Sequence, residues 1–67
     1  MKNLVEDLRK QKGLSQEEFS KILRVSRQTI SSIENGKYNP SLELAFQISN
    51  FFELPIEKIF LWKENKK

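Results

Sequence analysis

The sequence predicts an all-α fold, a compact domain of five short helices. Two features of the chain lead there. Apolar residues recur three and four positions apart, as on one face of a helix, and no strand of any length is called for. Between the apolar stretches stand residues that start and stop helices: Gly13, Ser15, Ser26, Gly36, Pro40, Ser41 and Pro55.

Leu4, Val5 and Leu8 lie at helical spacing, and Gly13 follows Lys12 as the left-handed residue that commonly ends a helix, which predicts helix one over about Lys2 to Lys12. Ser15-Gln16-Glu17-Glu18 is a capping box, so helix two starts there and carries Phe19, Ile22 and Leu23 as its apolar stripe. Arg24-Val25 makes a tight connection before Ser26, the next cap, and helix three runs from about Arg27 to Glu34 or Asn35 with Gly36 just past its end. Pro40 stops the chain and Ser41 restarts it as helix four, whose Leu42, Ala45, Phe46, Ile48, Phe51 and Phe52 spread widely enough to require burial on more than one side. Pro55 suits the first turn of a short fifth helix with Ile56, Ile59 and Phe60, and the polar tail Lys63 to Lys67 is expected to fray. Leu4, Leu8, Phe19, Ile22, Val25, Ile30, Ile33, Leu44, Phe46, Ile48 and Phe51 are the expected core.

The chain has 67 residues, 31% charged and 37% hydrophobic, which reads as one domain filling residues 1–67. A domain of this size buries only about 60% of its unfolded surface, so its core has little to spare. Without Cys or His it has no disulfide framework and lacks the usual zinc, copper and haem ligands, and no cofactor is expected. The longest apolar run is Ile59-Phe60-Leu61-Trp62, far short of the roughly 20 residues of a membrane span, and the N-terminus has no apolar stretch of signal-peptide length. The chain is therefore expected to be cytoplasmic, with no membrane partner and no evident small-molecule ligand. One Asp, no His, no Gly-rich phosphate loop and no paired carboxylates leave no catalytic constellation; every Ser and Lys that could form a Ser-Lys pair has a plainer role as cap or surface. The net charge of +3 is unevenly spread: residues 9–38 carry +4 and residues 39–61 carry −2.

Helices two and three, joined through Leu23 to Ser26, match the spacing of a helix-turn-helix over about residues 15–35. At about 100° per residue, Ile30 and Ile33 define the buried side of helix three, while Gln28, Ser31, Ser32 and Asn35 fall within about 50° of the opposite face, flanked by Arg27 and Thr29. That outer face is polar and almost uncharged, whereas a merely solvated face in so charged a protein would carry Glu and Lys. Its residue types suit double-stranded DNA, since Gln bonds adenine and Arg bonds guanine in bidentate fashion and Ser lets the helix approach the groove floor. Gln16 sits beside the free amides of a helix N-terminus, where a phosphate can bind, and Lys37, Tyr38 and Asn39 follow in a loop that could grip the backbone on the other side. Plainer roles stand beside these: Ser26 as a helix cap, Asn35 as a helix terminator and Tyr38 with its ring laid over helix four.

These residues carry a close resemblance to a known family. Leu14-Ser15-Gln16-Glu17-Glu18-Phe19, Val25 through Lys37, Asn39-Pro40-Ser41 and Pro55-Ile56-Glu57-Lys58-Ile59-Phe60 resemble the Cro/CI-type (XRE-type) helix-turn-helix repressors, in order and over nearly the whole chain. The resemblance implies a five-helix lambda-repressor-like domain that binds operator DNA as a dimer and regulates transcription. It implies base readout by Arg27, Gln28, Ser31 and Ser32. Phosphate contacts are expected from Gln16, Ser26, Thr29, Asn35, Lys37, Tyr38 and Asn39. Phe19 and Ser20 stand where the family more often has Leu and Ala, a variation of the core with no consequence for the DNA face. An alternative on the same fold is an antitoxin-like or regulator-binding interaction module.

Ile56, Ile59, Phe60, Leu61 and Trp62 add five large apolar residues within seven positions, and one short helix cannot point them all at a core. Either some stay exposed or the chain turns extended there. Residues 55–62 are thus the expected dimerisation segment, with Ile59, Leu61 and Trp62 at the interface; folding of Trp62 back over helix one is the competing arrangement.

Overall fold

A computed structural model describes residues 1–62 of the chain; the expectation for Lys63 to Lys67 lies outside them. Five helices follow one another as α1 (Val5–Gln11), α2 (Gln16–Leu23), α3 (Arg27–Glu34), α4 (Leu42–Phe52) and α5 (Ile56–Ile59). Two short strands, β1 (Lys2–Asn3) and β2 (Phe60–Leu61), pair antiparallel with Lys2 opposite Leu61 and Asn3 opposite Phe60.

The starts of α2, α3 and α4 are each capped by a serine. Ser15 accepts from the Glu18 amide while the Glu18 carboxylate accepts from the Ser15 amide, completing the capping box at 3.0 and 2.9 Å. Ser26 and Ser41 accept from the amides of Thr29 and Leu44 in the same way. The ends share a device too: Gly13, Arg24, Gly36 and Glu53 all take left-handed backbone, with φ between 57° and 76°. At each, the following amide reaches back six residues inclusive, as Leu14 does to the Arg9 carbonyl and Val25 to that of Ser20. Glycine signalled two of these ends in the sequence; Arg24 and Glu53 adopt the conformation without that signal.

The core is formed by Val5, Phe19, Leu23, Ile30, Ile33, Leu44, Ala45, Ile48, Phe52, Ile59 and Phe60. Phe19 stands at its centre, its ring 5.4 Å from those of Phe51 and Phe52, so an aromatic at position 19 is matched by aromatics on α4. Ser20, also buried, donates its hydroxyl to the Glu17 carbonyl at 2.7 Å. Among the described residues one ion pair is buried, and it joins α1 to α3: Arg9 Nε lies 2.7 Å from Glu34 Oε2, with the side chains 8% and 2% exposed.

Several expectations are corrected. The first helix begins at Val5, because Lys2 and Asn3 are drawn into the strand pair with the C-terminal segment. That shift makes Val5 the core residue of α1 and leaves Leu4 partly exposed. Ile22 and Phe46 are exposed rather than buried: the core side of α4 is set by Leu44, Ala45, Ile48 and Phe52, and Leu42 and Phe46 turn away from it. Pro55 caps α5 from outside with ψ 153°, instead of occupying its first turn. Ile59 is wholly buried, and the chain turns extended at Phe60.

Two stability predictions follow from this core. Ile33→Ala should cost about 2–5 kcal/mol in urea unfolding, since the side chain is fully enclosed. Arg9→Ala should cost about 3–5 kcal/mol by stranding the Glu34 carboxylate, whereas Arg9→Met combined with Glu34→Leu should recover most of that loss, and the same unfolding experiment compares the two.

Candidate nucleic-acid interface

Helices α2 and α3 pack against each other more extensively than any other pair, and the left-handed turn at Arg24 sets the angle between them. Ile30 and Ile33 anchor α3 to the core, as its rotation requires. Arg27, Gln28 and Asn35 are then exposed, and Thr29, Ser31 and Ser32 are half-buried. The outer face of α3 is thus a polar surface without acidic side chains, bounded at its far end by Glu34, whose carboxylate is turned inward.

That carboxylate organises the first turn of α2. Glu34 Oε1 accepts from Arg9 Nη2 at 3.2 Å and from Gln16 Nε2 at 3.0 Å, while Arg9 Nη1 donates to the Leu14 carbonyl at 2.7 Å. The Arg9 guanidinium is held above its ordinary pKa, first by the hydrogen bond it donates to Glu34, with burial opposing, so it stays charged wherever the protein folds. With its amide end fixed on Glu34, Gln16 turns its Oε1 toward Arg27, whose Nη1 lies 3.5 Å away. Gln16 and Arg27 therefore meet at the mouth of the two helices, beside the unpaired amides of the first turn of α2.

Ser26, Gln28, Thr29, Ser32 and Tyr38 line one cleft of about 290 Å³ on the other flank of α3. The Ser26 and Thr29 hydroxyls lie 2.9 Å apart and share a hydrogen bond, so the cap role of Ser26 and a polar role at the surface coexist. Tyr38 also lines the groove with Ser41, Leu44 and Gln47, placing its half-exposed ring between α3 and α4. Lys37 is exposed in the loop after α3. Two expected residues lie apart from this cluster. Asn35 caps the end of α3 and faces the groove beside β1, and Asn39 lines a different cleft with Pro40, Ala45, Ile56 and Trp62.

At the C-terminal segment, Trp62 is 77% exposed and Leu61 partly exposed, whereas Ile59 belongs to the core and is withdrawn from any interface. Trp62 lines the cleft with Pro40, Ala45 and Ile56 rather than covering α1. Arg9 and Glu34 were missed among the site residues. Their signal was there to find: Arg9 shares the stripe of Val5, four residues earlier, and a charge on an apolar stripe demands a buried partner.

Among the described residues no group of three or more His, Cys, Asp or Glu could hold a metal, and no helix is long and apolar enough to cross a membrane. A helix-turn-helix family model matches residues 5–59. The chain is 50% identical over 66 residues to an uncharacterized HTH-type transcriptional regulator of Methanocaldococcus jannaschii, covering 98% of this chain and 100% of that one. It is 44% identical over 66 residues to the uncharacterized HTH-type transcriptional regulator YgzD of Bacillus subtilis, covering 98% of each. A third similarity, 38% over 60 residues, is to the HTH-type transcriptional activator BcrR of Enterococcus faecalis and covers 90% of this chain but 29% of that protein.

Proposed function

The chain belongs to the helix-turn-helix family of transcriptional regulators, and from that footing we propose that it is a repressor that binds an inverted-repeat operator as a homodimer, with α3 in the major groove. The observation that carries this reading is the outer face of α3: Gln28, Ser31 and Ser32 without an acidic neighbour, and Arg27 held at its start by Gln16. Arg27, Gln28, Ser31 and Ser32 read base edges. Gln16, Ser26, Thr29, Lys37 and Tyr38 hold phosphates to either side, and Asn35 and Asn39, at the borders, contact the backbone only as the loop after α3 approaches it. Occupying an operator is enough to block a promoter, so repression asks nothing of the domain beyond binding. The regulator names borne by the relatives favour DNA as partner over the antitoxin-like alternative.

The dimer rests on apolar surface left outside the monomer. Leu61 and Trp62 are joined by Leu42 and Phe46, which lie within about 100° of Ala45 around α4 and so extend the surface beside the Trp62 cleft. A two-fold dimer that reads successive half-sites would hold its two α3 helices about 34–36 Å apart, one turn of DNA, and double the base contacts of one small module.

Gln28→Ala should weaken binding to a site selected from random DNA by about 1–3 kcal/mol while leaving non-specific DNA nearly unaffected, a difference read by competition titration. Lys37→Ala should lower both affinities alike and reduce the slope of log K against log salt by roughly one unit. In sedimentation the wild-type chain should be a dimer at micromolar concentration, and Leu61→Glu with Trp62→Glu a monomer that binds the selected site poorly; a wild-type monomer refutes the dimer.

A further inference from the structure

Asn3 lies outside the expected site, yet its carboxamide touches both the start of α1 and the end of α3. Its Oδ1 accepts from the Val5 amide at 3.1 Å, and its Nδ2 donates to the Ile33 carbonyl at 2.8 Å, with a longer contact of 3.4 Å to the Met1 carbonyl. Asn3 also sits in β1 opposite Phe60 of β2, and the pairing continues through the Leu4 amide to the Ile59 carbonyl at 2.9 Å. The strand runs so close to the end of α3 that a Cβ on Gly36, at φ +76°, would stand 3.2 Å from the Met1 carbonyl oxygen.

We propose that Asn3 is a positioning residue for base reading: it ties the last turn of α3 to the β1–β2 pair, so that the C-terminal segment sets the tilt of the reading helix. The inference rests on the reading of α3 as the base-reading helix. Glu34 fixes the same turn by its side chain, through Arg9 and Gln16; from the side of the strands, Asn3 grips the helix itself by the Ile33 carbonyl, and the Met1 ammonium adds a longer contact of 3.3 Å to the Gly36 carbonyl just past the helix end. Only a group that both accepts and donates can serve Val5 and Ile33 at once, and the carboxamide does so at the length of Asn. Loss of the Asn3 donor leaves the Ile33 carbonyl held by the Gly36 amide of its own turn, at 2.9 Å, and lets the C-terminal end of α3 shift against the groove. Ser31 and Ser32, within two residues of that carbonyl, move most. Gln28, beside the Ser26 cap, moves least.

The experiment is selection from a random double-stranded DNA library with the full chain, comparing wild type with Gln28→Ala, Ser31→Ala, Asn3→Ala and Asn3→Asp. Asn3→Asp keeps an acceptor for the Val5 amide but sets a carboxylate against the Ile33 carbonyl, so it carries the test if Asn3→Ala fails to fold. Both Asn3 variants should relax preference at the base positions that Ser31→Ala relaxes, keep it where Gln28→Ala loses it, and lower the ratio of specific to non-specific affinity about tenfold, as the loss of one hydrogen bond would. Circular dichroism at the assay temperature should show the folded population unchanged. An unaltered preference profile, or a loss spread evenly over all positions and non-specific DNA, overturns the role of Asn3 alone. A wild-type chain that enriches no sequence overturns the base-reading assignment, and the role of Asn3 with it.

Discussion

The buried pair between Arg9 and Glu34 is the constraint from which the arrangement of the first three helices follows. A guanidinium and a carboxylate removed from water this completely are tolerable only if nearly every donor and acceptor is used. Here Glu34 accepts through both oxygens, and Arg9 spends its remaining reach on the Leu14 carbonyl between α1 and α2. Such a pair adds little net stability over a well-filled apolar contact. What it contributes is geometry: α1, the start of α2 and the end of α3 meet in one relative position, because any other leaves a charge unpaired. The same carboxylate then holds Gln16, and Gln16 meets Arg27, so the interior and the outer face of α3 are connected by three consecutive hydrogen bonds.

Helices of four to eleven residues do not persist alone in water, and each depends on its ends and its buried face together. The starts are served by Ser15, Ser26 and Ser41 within four residues of sequence, and the ends by left-handed turns that return the next amide to the last carbonyls. Arg24 and Glu53 occupy such turns at the steric cost that a side chain brings there. The Arg24 turn fixes the angle of the helix-turn-helix, and the Glu53 turn brings α5 back over α4, so both are settled by how the apolar faces fit. That is why neither could be read locally.

The same distinction explains what the sequence made legible. The three serine caps, the two glycine ends and the rotation of α3 are local matters of spacing, and they were readable residue by residue. The strand β1 was not: Leu4, Val5 and Leu8 are compatible with a helix from Lys2, and only Phe60 and Leu61, nearly sixty residues away, draw Lys2 and Asn3 into a ladder. Phe46 misled for a related reason, since both sides of α4 carry apolar residues and the buried side is chosen by partners on α2 and α5. The sequence points Ile59 toward an interface because its segment holds more apolar residues than one helix can bury. The excess was real, but it fell to Leu61 and Trp62 once the chain turned extended after Ile59.

That extended turn has a consequence for how a dimer could read DNA. A C-terminal segment joined to its domain by a flexible linker would let two reading helices wander relative to each other, and the second half-site would then gain little from the first. In this chain Trp62 follows a strand hydrogen-bonded to β1, and Asn3 of β1 is hydrogen-bonded to the Ile33 carbonyl of α3. The path from the exposed tryptophan to α3 thus crosses only paired backbone and one part-buried carboxamide contact. A dimer formed through Leu61 and Trp62 would inherit that rigidity, so the distance between its two α3 helices would be set by hydrogen bonds within each monomer as much as by the interface. Two short strands that give the core only Phe60 become, on this geometry, the part of the fold that makes half-site spacing a defined quantity.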